Sequence, residues 1–402
     1  MHKMQIETIL IRILYLFAVG IVVFTVLGTG AVASALFNMT FFLVVLLWCA
    51  VAMRKVVWTD AVLLLIIGIA LGNVVVNAWL EETKIGFAYF KKYIMFISTL
   101  IFFQAAHRFP MDGKTKKYLL TLNSILAAFL SVYYLQNQSE VYMLNGRVTG
   151  YLTFRFTNPN LTALFLMCIF TGELFQIFEQ KSVVRRLVHL VFAAAVCFFI
   201  WETESRNCLI TIAVETILCL LLYCTKRGFR LPKWFVLMIA VWPFVFLFVY
   251  LGVVQNRQVQ EWLSFMVSEG KGLDTRITIW IPALRYYADS PFLGAYSQIS
   301  RGTGMSQMHN THLDIIVSYG TIVFVLVCYL LYKIMCSQDG DNPKEDTMAR
   351  ICFAGTIIMG MGEAALFSGG LGIYVFAGMF LLLCSREGEN SGKPYLIGGK
   401  LT

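Results

Sequence analysis

The chain has 402 residues, 58% of them hydrophobic and only 14% charged, with 33 Phe, 18 Tyr and 8 Trp. Soluble domains run near ~45–50% apolar and ~25% charged, so this composition excludes a soluble globular protein and leaves room for roughly a dozen helices of about 20 residues. The net charge of +9 lies in short segments between apolar stretches, as membrane topology requires, which excludes the basic face of a nucleic-acid-binding protein.

Stretches able to span a bilayer lie near 9–28, 32–53, 60–79, 86–106, 118–136, 159–178, 187–203, 206–224, 234–253, 312–335, 350–368 and 371–384. The first lacks a small-residue cleavage site and is long enough to span, so it is expected to remain in the membrane. The fourth opens on Lys91 and Lys92, and the twelfth is short. Twelve spans put both termini on one side. With the N-terminus inside, 21 of the 32 Lys and Arg fall on the cytoplasmic side, the bias that the positive-inside rule describes. The expected fold is an all-α integral membrane protein of about 12 transmembrane helices. It forms a single polytopic domain over 1–402, interrupted by a long extracytoplasmic loop over 254–308 that contains short helices. Loops of that length are functional or disordered. The ten Cys show no metal-ligand spacing and read as small apolar residues without a disulfide framework.

Of the five His, His2, His107 and His189 fall on the cytoplasmic side, and only His309 and His312 fall outside. Histidine exchanges protons near neutral pH, so acid–base work by histidine at the outer surface rests on one of these two. Three outer positions stand out at span or loop boundaries: Arg206 in TESRNCL, Arg276 in LDTRITIW and His309 in MHNTHLDIIVSYG. Each has a plain reading. Arg206 anchors a span at the interface or pairs with Glu202 or Glu204. Arg276 lies on the polar face of an amphipathic surface helix whose apolar positions are Ile277, Trp280, Ile281 and Leu284, capped by Asp274 or Thr275 and kinked at Pro282. His309 is a solvated loop residue or a cap.

The combination suits one chemistry. A lipid diphosphate leaving group needs positive charge, and Arg offers forked donors matched to phosphate oxygens. An acceptor hydroxyl needs a base within hydrogen-bond reach. No metal or cofactor site is visible on the outer side. Glu173, Glu215 and Glu363 fall in apolar stretches, where a charge is functional by default. Glu173 is expected near the cytoplasmic end and Glu215 near mid-membrane, protonated or paired. Lys91 and Lys92 extend the outer cationic surface or anchor a short span.

Four short signatures then occur in order. GRVTGYLTFRFTNPNLTALFL carries Arg147 and Asn160. TESRNCL carries Arg206, and RITIWIPALRYYADSPFLGAY carries Arg276. HNTHLDIIVSYG reads as His309, Asn310, nine residues and Gly320. With them the chain resembles the O-antigen ligase and O-antigen polymerase superfamily of bacterial envelope glycan enzymes, by motif over about 145–330 and by topology elsewhere. Two departures are Val323, where the family often has Gly, Thr or Tyr, and Phe292 inside the Pro-Leu-Gly stretch. The resemblance implies that His309 activates the acceptor hydroxyl. It implies that Arg206 and Arg276 hold the diphosphate of an undecaprenyl-linked glycan donor, with the glycan or glycolipid acceptor as second partner. Arg147 and Asn160 would line the same cavity, although Pro159 and Asn160 also suit a helix start. Asn310 would orient His309 or cap the span. The implied enzyme is an inverting, metal-independent glycosyltransferase of the bacterial cytoplasmic membrane, with an extracytoplasmic active site. Polymerase and ligase both remain open. A flippase for the same lipid-linked glycan is the alternative, disfavoured because no internal repeat is detectable.

Overall fold

The computed structural model describes residues 2–80, 87–109, 111–144, 147–156, 158–225, 231–255, 276–296, 308–336, 343–362, 367 and 372–383. The described helices are α1 (His2–Val26), α2 (Gly30–Ala52), α3 (Trp58–Leu80), α4 (Phe87–Arg108), α5 (Gly113–Gln136), α6 (Gln138–Val141), α7 (Pro159–Glu179), α8 (Val183–Glu202), α9 (Arg206–Cys224), α10 (Lys233–Gln255), α11 (Ile277–Asp289), α12 (Thr311–Cys336), α13 (Pro343–Met359) and α14 (Ile373–Leu383). One small element was not anticipated. Strands β1 (Met143–Leu144) and β2 (Arg147–Val148) form an antiparallel ribbon with Leu144 opposite Arg147.

The protein is an all-α integral membrane protein. Each of the twelve expected spans falls on a helix, and nine helices among the described residues are long and apolar enough to cross a membrane: α1, α2, α3, α5, α7, α8, α9, α10 and α12. The other three expected spans fall on α4, α13 and α14, of which α14 has only 11 residues. The eleventh span is displaced toward the N-terminus, from the expected 350–368 to Pro343–Met359. Glu345 and Asp346 lie in the first turn of α13, where carboxylates complement the helix dipole. After Met359 the chain leaves the helix in a turn, Gly360–Gly362. Of the loop expected over 254–308, residues 256–275 and 297–307 lie outside the described residues, and α10 runs on to Gln255.

Charged helix ends meet in pairs. Glu7 on α1 pairs with Arg54 after α2, and Asp60 at the start of α3 pairs with Arg108 at the end of α4. Lys116 at the start of α5 pairs with both Glu179 at the end of α7 and Glu345 at the start of α13. At this same end Asp112 caps α5, its carboxylate accepting from the Thr115 N–H at 2.7 Å. Burial alone would raise the Asp112 carboxyl. The Thr115 hydroxyl and N–H, with Arg12 nearby, hold it below the usual carboxylate range instead. The core is centred on α7, where every residue from Leu161 to Gln176 is buried. Asn158 starts that helix, its side chain accepting from the Asn160 N–H at 2.9 Å, with Pro159 in the first turn.

The feature that matters most for the site is a break in α12. Gly320 takes φ 83 and ψ 171, a region essentially closed to other residues, and interrupts the helix after a wholly buried half-helix, Thr311–Tyr319. The segment Pro291–Tyr296 runs through the break like a strap. The Ala295 N–H donates to the Val317 carbonyl (2.7 Å), and the Thr321 N–H and hydroxyl both donate to the Pro291 carbonyl (2.9 and 2.7 Å). Asn73 on α3 donates to the Tyr319 carbonyl (2.6 Å) and the Phe292 carbonyl (3.3 Å). Backbone groups freed within the hydrocarbon are tolerated only when the protein satisfies them in this way. The approach is close enough to require two glycines. A Cβ on Gly294 would lie 2.7–2.8 Å from the Val317 and Ser318 backbone, and one on Gly320 would strike the Phe292 carbonyl. The PFLG and HN(x9)G signatures are therefore two halves of one contact.

Lys92 on α4 pairs with Asp314 on the half-helix at 2.9 Å and donates to Ser318 at 2.9 Å. This corrects the expectation that Lys92 adds to a cationic surface: its charge is taken up by a buried carboxylate. Removing one partner leaves the other charge buried and unpaired. Lys92→Met or Asp314→Leu alone is expected to cost about 3 kcal/mol, and the double replacement is expected to recover most of it. Thermal unfolding of the three purified variants checks this; a double variant no better than the singles would reject it.

Candidate active site

Arg206 is the first residue of α9 and is exposed. The turn leading into it is tight: Glu204 takes φ 56, a left-handed conformation uncommon outside glycine. Glu202, one of the carboxylates expected to pair with Arg206, accepts from the Tyr142 hydroxyl at 2.6 Å. Burial, reinforced by that bond, pushes the Tyr142 phenol above its ordinary value. The neighbour of Arg206, Asn207, reaches across the bundle and donates to the Met359 carbonyl at 3.1 Å.

Arg276 occupies the N-cap position of α11, its carbonyl accepting from the N–H groups of Ile279 (3.1 Å) and Trp280 (2.8 Å). The expected cap residues Asp274 and Thr275 lie outside the described residues. The helix is more than a surface element, because Ile279, Trp280 and Ala283 are buried. Trp280 is wholly buried, and its indole N–H donates to the Met308 carbonyl at 2.7 Å. Its ring also lies 6.0 Å from the Arg276 guanidinium carbon, within cation–π range. One indole therefore ties Arg276 to the residue preceding His309.

His309 has φ 49. A non-glycine residue held there costs of order 1–3 kcal/mol and persists only where its surroundings over-determine it. Here they do. Met308 is fixed by Trp280. Asn310 caps α12, its side-chain oxygen accepting from the Leu313 N–H (2.9 Å), while its amide donates to the Pro243 (2.7 Å) and Met361 (3.2 Å) carbonyls. The Thr311 N–H donates to the Gly360 carbonyl at 2.8 Å. Of the two roles expected for Asn310, capping is the one these bonds describe.

These segments meet at one place. The carbonyls ending α13 and its following turn, Met359, Gly360 and Met361, receive their donors from Asn207, Thr311 and Asn310. Helix C-termini leave such carbonyls unsatisfied, and here two other helix starts satisfy them. The Arg276 guanidinium completes the group, 3.1 and 3.3 Å from where a Gly362 Cβ would project, with the Asn207 amide 2.8 Å from the same point. The starts of α9, α11 and α12 thus gather on residues 359–362, beside Arg206, Arg276 and His309 respectively. Helix N-termini carry partial positive charge and exposed N–H groups, the features that bind phosphate.

The two histidines expected on the outer side now part. His312 is buried, and its Nε2 lies 2.6 Å from the Ala240 carbonyl, one turn before Pro243 in α10. Pro243 lacks an N–H and disrupts the helical ladder there. The nearby carbonyls of Ala240 and Pro243 take partners from His312 and Asn310, so His312 is committed to packing. His309 is only partly buried.

The remaining expected residues lie close by in sequence and contact. Arg147 lies in β2, and Leu152 beyond it donates its N–H to the Glu202 carbonyl (2.8 Å), docking this segment on the corner before α9. Asn160 lies in the first turn of α7, three residues before Ala163, whose carbonyl accepts from the Cys208 thiol at 3.3 Å. Both segments are brought to the corner that precedes Arg206. Glu173 is held by Asn123, Ser124 and His189 at 2.8–2.9 Å. Glu215 accepts from Thr171 (2.9 Å) and packs against Gly355. Glu363 lies outside the described residues. Among the described residues no three His, Cys, Asp or Glu side chains gather to hold a metal ion.

Asn207, Trp280 and the Gly360–Gly362 turn were not legible as site residues. The faint signals were an amide directly after an interface arginine and paired glycines near the end of an apolar stretch.

Among curated proteins no relative matches. Residues 189–328 match the family model described as O-antigen ligase. That match runs from the first half of α8 through Arg206, Arg276 and His309 to the middle of α12, beyond the break at Gly320. This match supports, over residues 189–328, the resemblance to the O-antigen ligase and polymerase superfamily.

Proposed function

We propose that this protein transfers a glycan from an undecaprenyl-diphosphate carrier to an acceptor sugar hydroxyl at the outer face of a bacterial cytoplasmic membrane. The family supports ligase- or polymerase-type activity in general. What supports the specific reading is the gathering of three helix starts, with Arg206, Arg276 and His309 at them, on the turn over residues 359–362.

In this reading the acceptor hydroxyl gives its proton to the His309 imidazole as its oxygen attacks the anomeric carbon. Attack comes from the face opposite the diphosphate, so the configuration inverts. The bond from that carbon to the phosphate oxygen breaks, and its electron pair leaves on undecaprenyl diphosphate. The Arg206 and Arg276 guanidiniums bind the charge that develops there, helped by the N-termini of α9, α11 and α12. Stabilising charge at the leaving group is commonly the largest single catalytic effect. His309 then releases its proton to water. Arg147 and Asn160 extend the donor-binding wall from the corner preceding α9.

The test is transfer by purified protein supplied with lipid-linked repeat units. Arg206→Ala and Arg276→Ala should each lower transfer by roughly 10²–10³-fold, the range for losing one group that stabilises developing charge. Full activity in both, together with the His309 variant, would remove the assignment. Product ladders from the lipid-linked repeat alone identify a polymerase, and product only with a separate terminal acceptor identifies a ligase. Glycan translocation without transfer would overturn the reading.

A further inference from the structure

At the far end of the bundle from this site, the starts of α5 and α8 and the end of α7 enclose a cavity of about 400 Å³. Helix α8 runs from it to the corner beside Arg206, and 20 helical residues span roughly 30 Å. Lys116, Lys117, Arg185 and His189 line the cavity. Lys116 sits between Glu345 and Glu179, which also lines the cavity, so this trio holds one carboxylate more than it has cations. Lys117 and Arg185 form no ion pair with a described residue, and the two together outweigh that carboxylate and leave the cavity basic. The floor is built from polar groups. Ser124 and Gln176 face the cavity, joined by a 2.9 Å hydrogen bond, and His189 is anchored to the buried Glu173 at 2.8 Å.

The surface beside this cavity is apolar and outward-facing. On α8, Val184, Leu187, Val188 and Val191 are exposed; on α5, Ile125 is. Leu187, Val188 and Val191 follow Arg185 along α8, and Ile125 follows Lys117 along α5, so these four lie further into the bundle than the two charges. A phosphate in the cavity would therefore carry its hydrocarbon along these two helices.

We infer that this cavity binds the headgroup of an anionic glycerophospholipid, its phosphate between Lys117 and Arg185 and its acyl chains along α5 and α8. Basic pockets between transmembrane helices recognise such headgroups, each surface Lys or Arg contributing on the order of tenfold or less. A bulkier zwitterionic headgroup brings its own cation to a site that already holds two. Free phosphate would meet the same charges without the apolar contact.

The experiment uses the full chain in mild detergent, with bound lipid read by native mass spectrometry and by thermal stabilisation. The probes are phosphatidylglycerol, phosphatidylcholine with the same acyl chains, and inorganic phosphate. Phosphatidylglycerol is expected to be retained in preference to the other two. The double variant Lys117→Gln, Arg185→Gln should weaken that retention by roughly tenfold or more, whereas Arg185→Lys should preserve it. Both side chains are exposed, so the variants retain the fold. Equal retention of both lipids, stabilisation by inorganic phosphate alone, or undiminished retention by the double variant would each overturn the inference. Lipid retention is independent of glycan transfer, so the outcome does not depend on the proposed reaction.

Discussion

Replacing His309 by Ala is expected to lower the rate of glycan transfer by roughly 10²–10⁴-fold, the usual contribution of a positioned general base. The backbone at this residue makes a sharper experiment possible. With φ 49, Ala inherits the same unfavourable conformation as His, whereas Gly adopts it freely. His309→Gly should therefore match or exceed the wild type in thermal stability while losing as much activity as His309→Ala. A role in positioning alone would give a different pattern, with Gly and Ala diverging in activity according to their stability. Retention of more than about a third of the wild-type rate in both variants would remove His309 as the base. The same assay with His312→Ala should show lost stability rather than a selective loss of rate, because that imidazole bonds the Ala240 carbonyl inside the bundle.

The second large effect is expected at Gly320→Ala. Its backbone lies where a side chain is excluded, at a cost of order 1–3 kcal/mol. The added Cβ would also meet the Phe292 carbonyl, which belongs to backbone and cannot rotate away. Relieving the collision means withdrawing the strap, which forfeits the hydrogen bonds linking Pro291, Ala295 and Asn73 to α12. The combined loss should exceed about 4 kcal/mol, in the range that only named defects of this kind reach. Purified Gly320→Ala should unfold at a much lower temperature and show no transfer. Gly72→Ala on α3 is the matched control. Nothing lies within 4 Å of its added Cβ, and Ala favours a helix over Gly by about 1 kcal/mol, so that variant should be neutral or stabilised. Similar behaviour of the two variants would show that the break at Gly320 tolerates a side chain.

The helices were readable from sequence because the bilayer imposes length and apolarity together, and each expected span fell on a helix. Where the boundary was wrong, at α13, the cause was local. PKED reads as a polar loop, yet a proline in the first turn followed by carboxylates is a good helix start, and the glycines that end the helix sit among apolar residues. The candidate residues Arg206, Arg276 and His309 could be singled out because they lie at span or loop boundaries on the side expected to carry the fewer Lys and Arg. What gathers them could not be read. Backbone carbonyls at 359–361 have no signature in side-chain chemistry, and Asn207 and Trp280 gain meaning only from contacts made far along the chain. The pairing of Lys92 with Asp314 was hidden for the same reason: the two residues lie 222 positions apart in the chain.

That turn has a consequence for how the molecule comes to be. The ribosome delivers Arg206, Arg276 and His309 well before residues 359–362, and the carbonyls that receive Asn207, Asn310 and Thr311 are among the last described parts of the chain to emerge. A nascent protein halted after α12 already holds every group assigned to the chemistry, yet has nothing on which to assemble them. Competence for the proposed transfer is then acquired only once residues 359–362 have been made, later than the side chains assigned to the chemistry.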